Sequence, residues 1–313
     1  MAEKRLGTLI TLVAGIAWGL SGVSGQYLMS RGVSVDMITS LRLMVSGVFL
    51  LGLAYLTARE QLIKVIKNKR ALLGIFVFAM LGLVLNQMAY LQAIYYTNAG
   101  TATVLQYLCP VLVLAYTCLK NREKPSGIEL VSIVLAVAGT FLIATHGKLD
   151  ELAVTPIGLF WGIFSAFTYA LYIILPGKLI RQYGSMVVIG LGMLMGGFVV
   201  TLGLQTWQGN LPLDGGSLLG LLGIVGVGTI FAYTAFLKGV SMVGPVNGSL
   251  LASIEPIASV FFAVWLVDEH FYIIDFLGMA LILSAVLLIS LKDVVISEKS
   301  IGELPPKSWT NNY

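Results

Sequence analysis

Residues 250–271 read LLASIEPIASVFFAVWLVDEHF. Nearly all of this run is apolar, and crossing a bilayer takes about 20 such residues. Near its middle stand Glu255 and Pro256, far from either polar end. A carboxylate at bilayer depth is expensive unless it faces protein or water, so Glu255 is a functional candidate by default. The plainer reading is a structural carboxylate, hydrogen-bonded to a neighbouring helix or paired with Arg42. Pro256 has no N–H to offer the carbonyl four residues back, at Ala252, and invites a kink there.

The rest of the chain has the same character. It is 58% hydrophobic and 11% charged, with a mean hydropathy of +0.92, against about 25% charged residues in soluble domains. Ten runs are apolar enough to span: 7–29, 37–57, 71–92, 98–119, 127–145, 156–176, 186–207, 217–237, 246–267 and 272–291. The first follows Lys4 and Arg5 like a signal peptide, but is too long for the apolar stretch of one and is read as a retained span. If the N-terminus is cytoplasmic, the inner segments hold sixteen of the nineteen Lys and Arg residues. The outer loops hold only Arg31 and Lys148, and Arg42 lies within the second span. This bias predicts a cytoplasmic-membrane protein with both termini inside. The tail 297–313 is polar, contains Pro305 and Pro306, and is expected to be disordered.

The chain repeats itself. A shift of 146 residues carries Pro110 onto Pro256 and Glu123 onto Glu269, and Trp18-Gly19 recurs at Trp161-Gly162. Two halves of five spans follow, 1–146 and 147–296. An odd number of spans per half means that the second enters the membrane from the opposite side, the inverted-repeat plan of secondary transporters. The expected fold class is therefore an all-α integral membrane protein, ten transmembrane helices as two inverted five-helix repeats.

Four motifs make a resemblance specific: WGLSG at 18–22, LRLMVSG at 41–47, SIEPIASVFFAVWLVDE at 253–269, and the first-half counterpart ending in Lys120-Asn121-Arg122-Glu123. The chain resembles the drug/metabolite transporter superfamily, in its EamA-type branch, over about residues 7–291. The resemblance implies alternating access, with a central cavity lined mainly by spans 1, 3, 4, 6, 8 and 9. It implies a transported class of amino acids, other metabolites or drugs. One departure stands out: the position matching Glu255 in the first half is Cys109, so a carboxylate role is not duplicated.

The candidate substrate-binding or coupling residues are Glu255, Trp18, Ser21, Asn86, Tyr90, Gln106, Trp161, Tyr169, Tyr233 and Arg42, with Pro110 and Pro256 as kinks. Aromatic walls with a few polar groups suit a small amphipathic solute; each residue taken singly is equally a helix-contact residue. Arg42 is read either as snorkelling to outer headgroups or binding backbone carbonyls, or as a fork for a substrate carboxylate. Gly15-xxx-Gly19, Gly192-xxx-Gly196 and Gly216-xxx-Gly220 provide for close helix approach. Cys109 and Cys118 lie on opposite faces of one helix and read as unpaired, packed thiols. No catalytic constellation, metal set, cofactor motif or nucleic-acid patch is evident, so no cofactor is expected.

The function expected is a secondary active transporter, an exporter, of a small organic metabolite such as an amino acid or aromatic compound, with proton coupling as an option. An uptake carrier or exchanger is the alternative, and an intramembrane enzyme a further one. The expected partners are the small-molecule substrate, the lipid bilayer and, as an option, protons, for a monomer or homodimer.

Overall fold

The computed structural model describes residues 2–122, 124–146 and 152–302. Among them are ten helices of spanning length: Glu3–Ser30, Val35–Thr57, Lys69–Tyr96, Ala99–Lys120, Gly127–Thr145, Pro156–Tyr183, Ser185–Gly203, Gly215–Val243, Leu250–Val267 and Ile273–Leu291, here spans 1 to 10. They match the expected runs in number and order. Spans 3 and 8 are longer than their apolar runs, because a helix can continue past the hydrocarbon layer into polar surroundings that hydropathy does not score, whereas span 6 is lengthened by a separate short helix, Gly177–Tyr183, after a turn at Leu175 and Pro176. A short helix, Arg59–Ile66, joins spans 2 and 3 and buries Leu62 and Val65. The last helix continues to Gly302, six residues into the stretch read as disordered; residues 303–313 lie outside the described ones.

The packing follows a twofold pattern. Span 2 lies along span 7, and span 5 along span 10. Span 1 packs on span 8, and span 6, its counterpart, on span 3, the counterpart of span 8. The halves are therefore interlocked. Glycines allow the closest approaches. A Cβ at Gly47 would stand 2.7 Å from the Leu194 backbone nitrogen, and one at Gly139 would stand 2.5 Å from the Gly278 carbonyl. The Gly15/Gly19 pair faces span 9 at its break: Cβ atoms there would stand 3.2 Å from the Ala252 carbonyl and 2.9 Å from that of Glu255. Gly192 and Gly196 of span 7 pack on Leu83 and Val84 of span 3.

Two departures from regular α-helix recur in equivalent spans. Span 3 widens to a π-helix at Ala79–Val84 and span 8 at Leu222–Phe231. Spans 4 and 9 are broken. Span 4 runs through two helices, Ala99–Gln106 and Cys109–Asn121, and span 9 through the end of Pro245–Ala252 and all of Glu255–Val267. In both, proline occupies the first turn of the second piece, where its missing N–H costs nothing. The breaks match bond for bond: Leu108 N–H donates to the Leu105 carbonyl, and Ile254 N–H to that of Leu251. Both pieces end on a left-handed non-glycine residue, Arg122 and Asp268, each with φ of 55°. That conformation is uncommon outside glycine, so its recurrence reflects the repeat rather than local sequence.

Candidate functional site

The break in span 9 sets Glu255 at the start of a half-helix in the middle of the protein. The carbonyl freed by Pro256, at Ala252, is taken up from the opposite repeat. Tyr107, at the break of span 4, donates its hydroxyl to the Ala252 carbonyl at 3.2 Å and to Glu255 Oε2 at 3.1 Å. The two breaks are thereby joined by one side chain.

Arg42 enters from span 2. Its side chain is buried, with 7% exposure. Nε donates to Thr229 Oγ1 at 2.8 Å, and one terminal nitrogen to Gln87 Oε1 at 2.9 Å. Both acceptors are neutral, and neither ion pair among the described residues involves Arg42 or Glu255. Arg42 therefore does not snorkel to headgroups or bind backbone carbonyls; it is held by side chains inside the protein. It is not in contact with Glu255 either, although each lies within range of the other's charge. The π-helical segments explain its seat. Thr229 donates to the Ile224 carbonyl five residues back, at 2.9 Å, inside the widened turn of span 8. In span 3 the π-segment precedes Asn86 and Gln87 and re-aims the face that follows it.

Around these charges stand four tyrosines, Tyr90, Tyr107, Tyr169 and Tyr233, all within electrostatic reach of Glu255. Tyr169 stacks on Tyr172 at 5.9 Å. Trp18 meets Tyr233 edge-on at 5.8 Å and Phe236 at 4.9 Å. Asn86 Oδ1 accepts from Gln106 at 3.2 Å and from Thr168 at 3.3 Å, tying spans 3, 4 and 6. Thr103 commits its own proton to the Ala99 carbonyl at 2.7 Å, so Tyr90 is the donor in their 2.6 Å contact. Ser259 lies 3.2 Å from the same hydroxyl.

Of the expected residues, Glu255, Arg42, Tyr90, Tyr169 and Tyr233 gather at one centre, with Trp18 joined through Tyr233. Asn86 and Gln106 form a polar tie between helices beside it. Trp161 packs against the apolar cluster that contains Tyr90, whereas Ser21 stands apart. Ser21 is packed against Gly228 of span 8, its hydroxyl without a hydrogen-bond partner. Trp161 contacts Phe160 and Phe164 of its own span. Tyr107, Thr229 and Gln87 are the residues that the candidate set omits. Tyr107 and Thr229 share helical stripes with chosen residues, whereas Gln87 is visible in sequence only as a polar residue in an apolar span.

The two faces differ. The near face is the one at which span 1 starts and span 10 ends. On the far side every residue of Ala99–Gln106 is buried. Gln26 of span 1 closes that side, accepting from the Ala99 N–H at 2.8 Å and donating to Glu269 beyond span 9. Arg31 donates to Asp214 at the same surface. The Ser217 N–H and Arg31 hold the Asp214 carboxyl below its ordinary range, and Asp214 in turn raises the Arg31 guanidinium. Toward the near face Leu112, Leu114, Tyr107, Tyr169, Tyr233 and Glu255 are only half-buried. The centre is closed on the far side, and the residues toward the near face are less buried.

Residues 5–145 and 156–291 each match the EamA-like transporter family. The chain is 35% identical to the "Uncharacterized inner membrane transporter YicL" of Salmonella typhimurium over 292 residues, 93% of this chain and 97% of that protein. It is 23% identical to the WAT1-related protein At4g16620 of Arabidopsis thaliana, over 86% of this chain and 85% of that one. A solved crystal structure superposes with a TM-score of 0.62 at 18% identity, covering 93% of this chain and 98% of the other, which supports the fold. With both five-helix halves matched and ten apolar helices in place, the chain is a multi-pass membrane protein that belongs to the EamA-like transporter family.

Proposed function

We propose that this chain is a secondary active carrier of the cytoplasmic membrane, with both termini in the cytoplasm, that exports a small organic metabolite of amphipathic or aromatic character. The two halves rock about the central site and open it to one face at a time, and Glu255 exchanges a proton during the cycle. The observation that carries this reading is the pair of charges inside the spans, buried Arg42 and half-buried Glu255, set apart from each other among aromatic rings between the repeats. A guanidinium held by two neutral acceptors keeps donors for a planar anionic group on a solute. Trp18, Tyr169 and Tyr233 provide apolar walls for its body. A site closed on one side and less buried toward the other suits a carrier in one of its two states.

The test is reconstitution of the purified chain in liposomes, with amino acids and aromatic metabolites offered under imposed pH gradients in both directions. The expected result is gradient-driven flux of at least one solute out of the compartment facing the termini. Glu255→Gln is expected to remove the pH dependence while leaving solute exchange. PH-driven flux that persists in that variant refutes the coupling role, and absence of flux for every solute refutes the carrier.

A further inference from the structure

Tyr107 stands where the two helix breaks meet. Its hydroxyl has one proton and two acceptors in reach, the Ala252 carbonyl and Glu255 Oε2. Both depend on it. The Ala252 carbonyl lacks its helical donor because the residue four positions on is Pro256, and Ala252 is buried. Glu255 takes no other hydrogen bond among the described residues.

We propose that Tyr107 is a positioning residue that passes the ionisation state of Glu255 to the backbone break of span 9. This rests on Glu255 being the coupling carboxylate. With Glu255 ionised, the charge-assisted bond is the stronger of the two. The Tyr107 proton then points at Oε2 and leaves the Ala252 carbonyl without a donor. When Glu255 takes a proton from water it becomes a neutral carboxyl and gains an O–H. That O–H donates to the Tyr107 oxygen, and the Tyr107 proton turns to the Ala252 carbonyl. Tyrosine keeps its own proton throughout. The break at Ser253 and Ile254 is satisfied in the protonated state and one hydrogen bond short in the ionised state, so it opens more readily when Glu255 is charged.

The other groups facing Glu255 do not supply this link. Arg42 from span 2 and Tyr90, Tyr169 and Tyr233 from spans 3, 6 and 8 lie within range of its charge but make no hydrogen bond to the break among the described residues. Span 1 presents Gly15 and Gly19 there, which carry no hydrogen-bonding side chain. The link is also one-sided, since the first repeat has Cys109 where the second has Glu255.

The test is hydrogen–deuterium exchange on the full chain in lipid nanodiscs, read on peptides covering 250–257. Labelling is corrected for the intrinsic effect of pH and spans about pH 5 to 9, where buried carboxylates titrate. The wild type is expected to exchange about fivefold faster on the alkaline side, the factor that one net hydrogen bond supplies. Glu255→Gln, whose amide imitates the protonated carboxyl, is expected to stay slow at every pH. Tyr107→Phe keeps the ring and is expected to be fast at every pH. A wild type without a step, or a Tyr107→Phe protein that keeps it, overturns the proposal. If Tyr107→Phe does not fold, the comparison of wild type with Glu255→Gln decides alone. No solute is needed, so the outcome is separable from the functional reading. A clear step in a protein whose transport ignores pH would sink proton coupling and leave the Tyr107 link standing.

Discussion

Gly19 offers a way to test whether span 1 seats the broken span 9. A Cβ built on Gly19 would stand 2.7 Å from the Ser259 backbone nitrogen, 2.8 Å from the Ala258 Cβ and 2.9 Å from the Glu255 carbonyl oxygen. Two of those atoms are backbone and the third is a Cβ, so no rotamer change relieves the clash and a helix must move. Overpacking of this kind costs about 1–3 kcal/mol. Replacing a helical glycine by alanine also returns up to about 1 kcal/mol of helix propensity, which would mask part of the loss. Gly52 provides the control: it lies within span 2, and a Cβ there meets nothing within 4 Å. Gly19→Ala and Gly52→Ala share the propensity gain, so the difference between them isolates the packing term. Unfolding in a mild detergent, followed by tryptophan fluorescence, is expected to place Gly19→Ala about 1–3 kcal/mol below Gly52→Ala. Because the displaced atoms belong to the half-helix that carries Glu255, flux through Gly19→Ala should fall as well. Equal stability of the two variants would refute the close seating of span 9 on span 1.

Arg42→Lys keeps a charge but loses the planar fork, and is expected to weaken apparent affinity for a carboxylate-bearing solute by about tenfold or more, measured as the concentration giving half-maximal flux; unchanged affinity would remove Arg42 from solute recognition. At the far surface, the Asp214 carboxyl is held below its ordinary range by Ser217 and Arg31. Its contribution to stability is therefore complete above the unfolded carboxylate pKa of about 4 and lost as pH falls through the lower folded value. The unfolding midpoint of Asp214→Asn should trail the wild type at neutral pH, and the gap should close in acid and shrink in high salt. A gap that widens in acid would contradict the assignment.

Much of the architecture is legible in one dimension. The bilayer thickness sets the length of an apolar run, so hydropathy alone finds ten spans and their order. The repeat is visible because Pro110 and Pro256 do the same local work, emptying a backbone donor in the first turn of a half-helix. The matching departures in spans 3 and 8 are not visible in this way. A π-helical turn has no residue signature in Ala79–Val84 or Leu222–Phe231.

The site divides along the same line. Sequence marks Glu255 and Arg42, because a charge in an apolar run is conspicuous whatever surrounds it. It also supplies the aromatic stripe from which Trp18, Tyr169 and Tyr233 come. It does not say which polar residue meets which. Ser21 sits on a stripe as promising as that of Trp18, yet it faces Gly228, whereas Gln87 carries no stripe and holds Arg42. The rotation of each span about its axis decides this, and rotation is set by contacts between residues far apart in the chain. Glu255 shows the boundary most plainly. Its depth, its neighbour Pro256 and the orphaned carbonyl of Ala252 follow from the sequence by itself. That the carbonyl and the carboxylate share one hydroxyl, from Tyr107 of the opposite repeat, was decided only when the two halves interlocked.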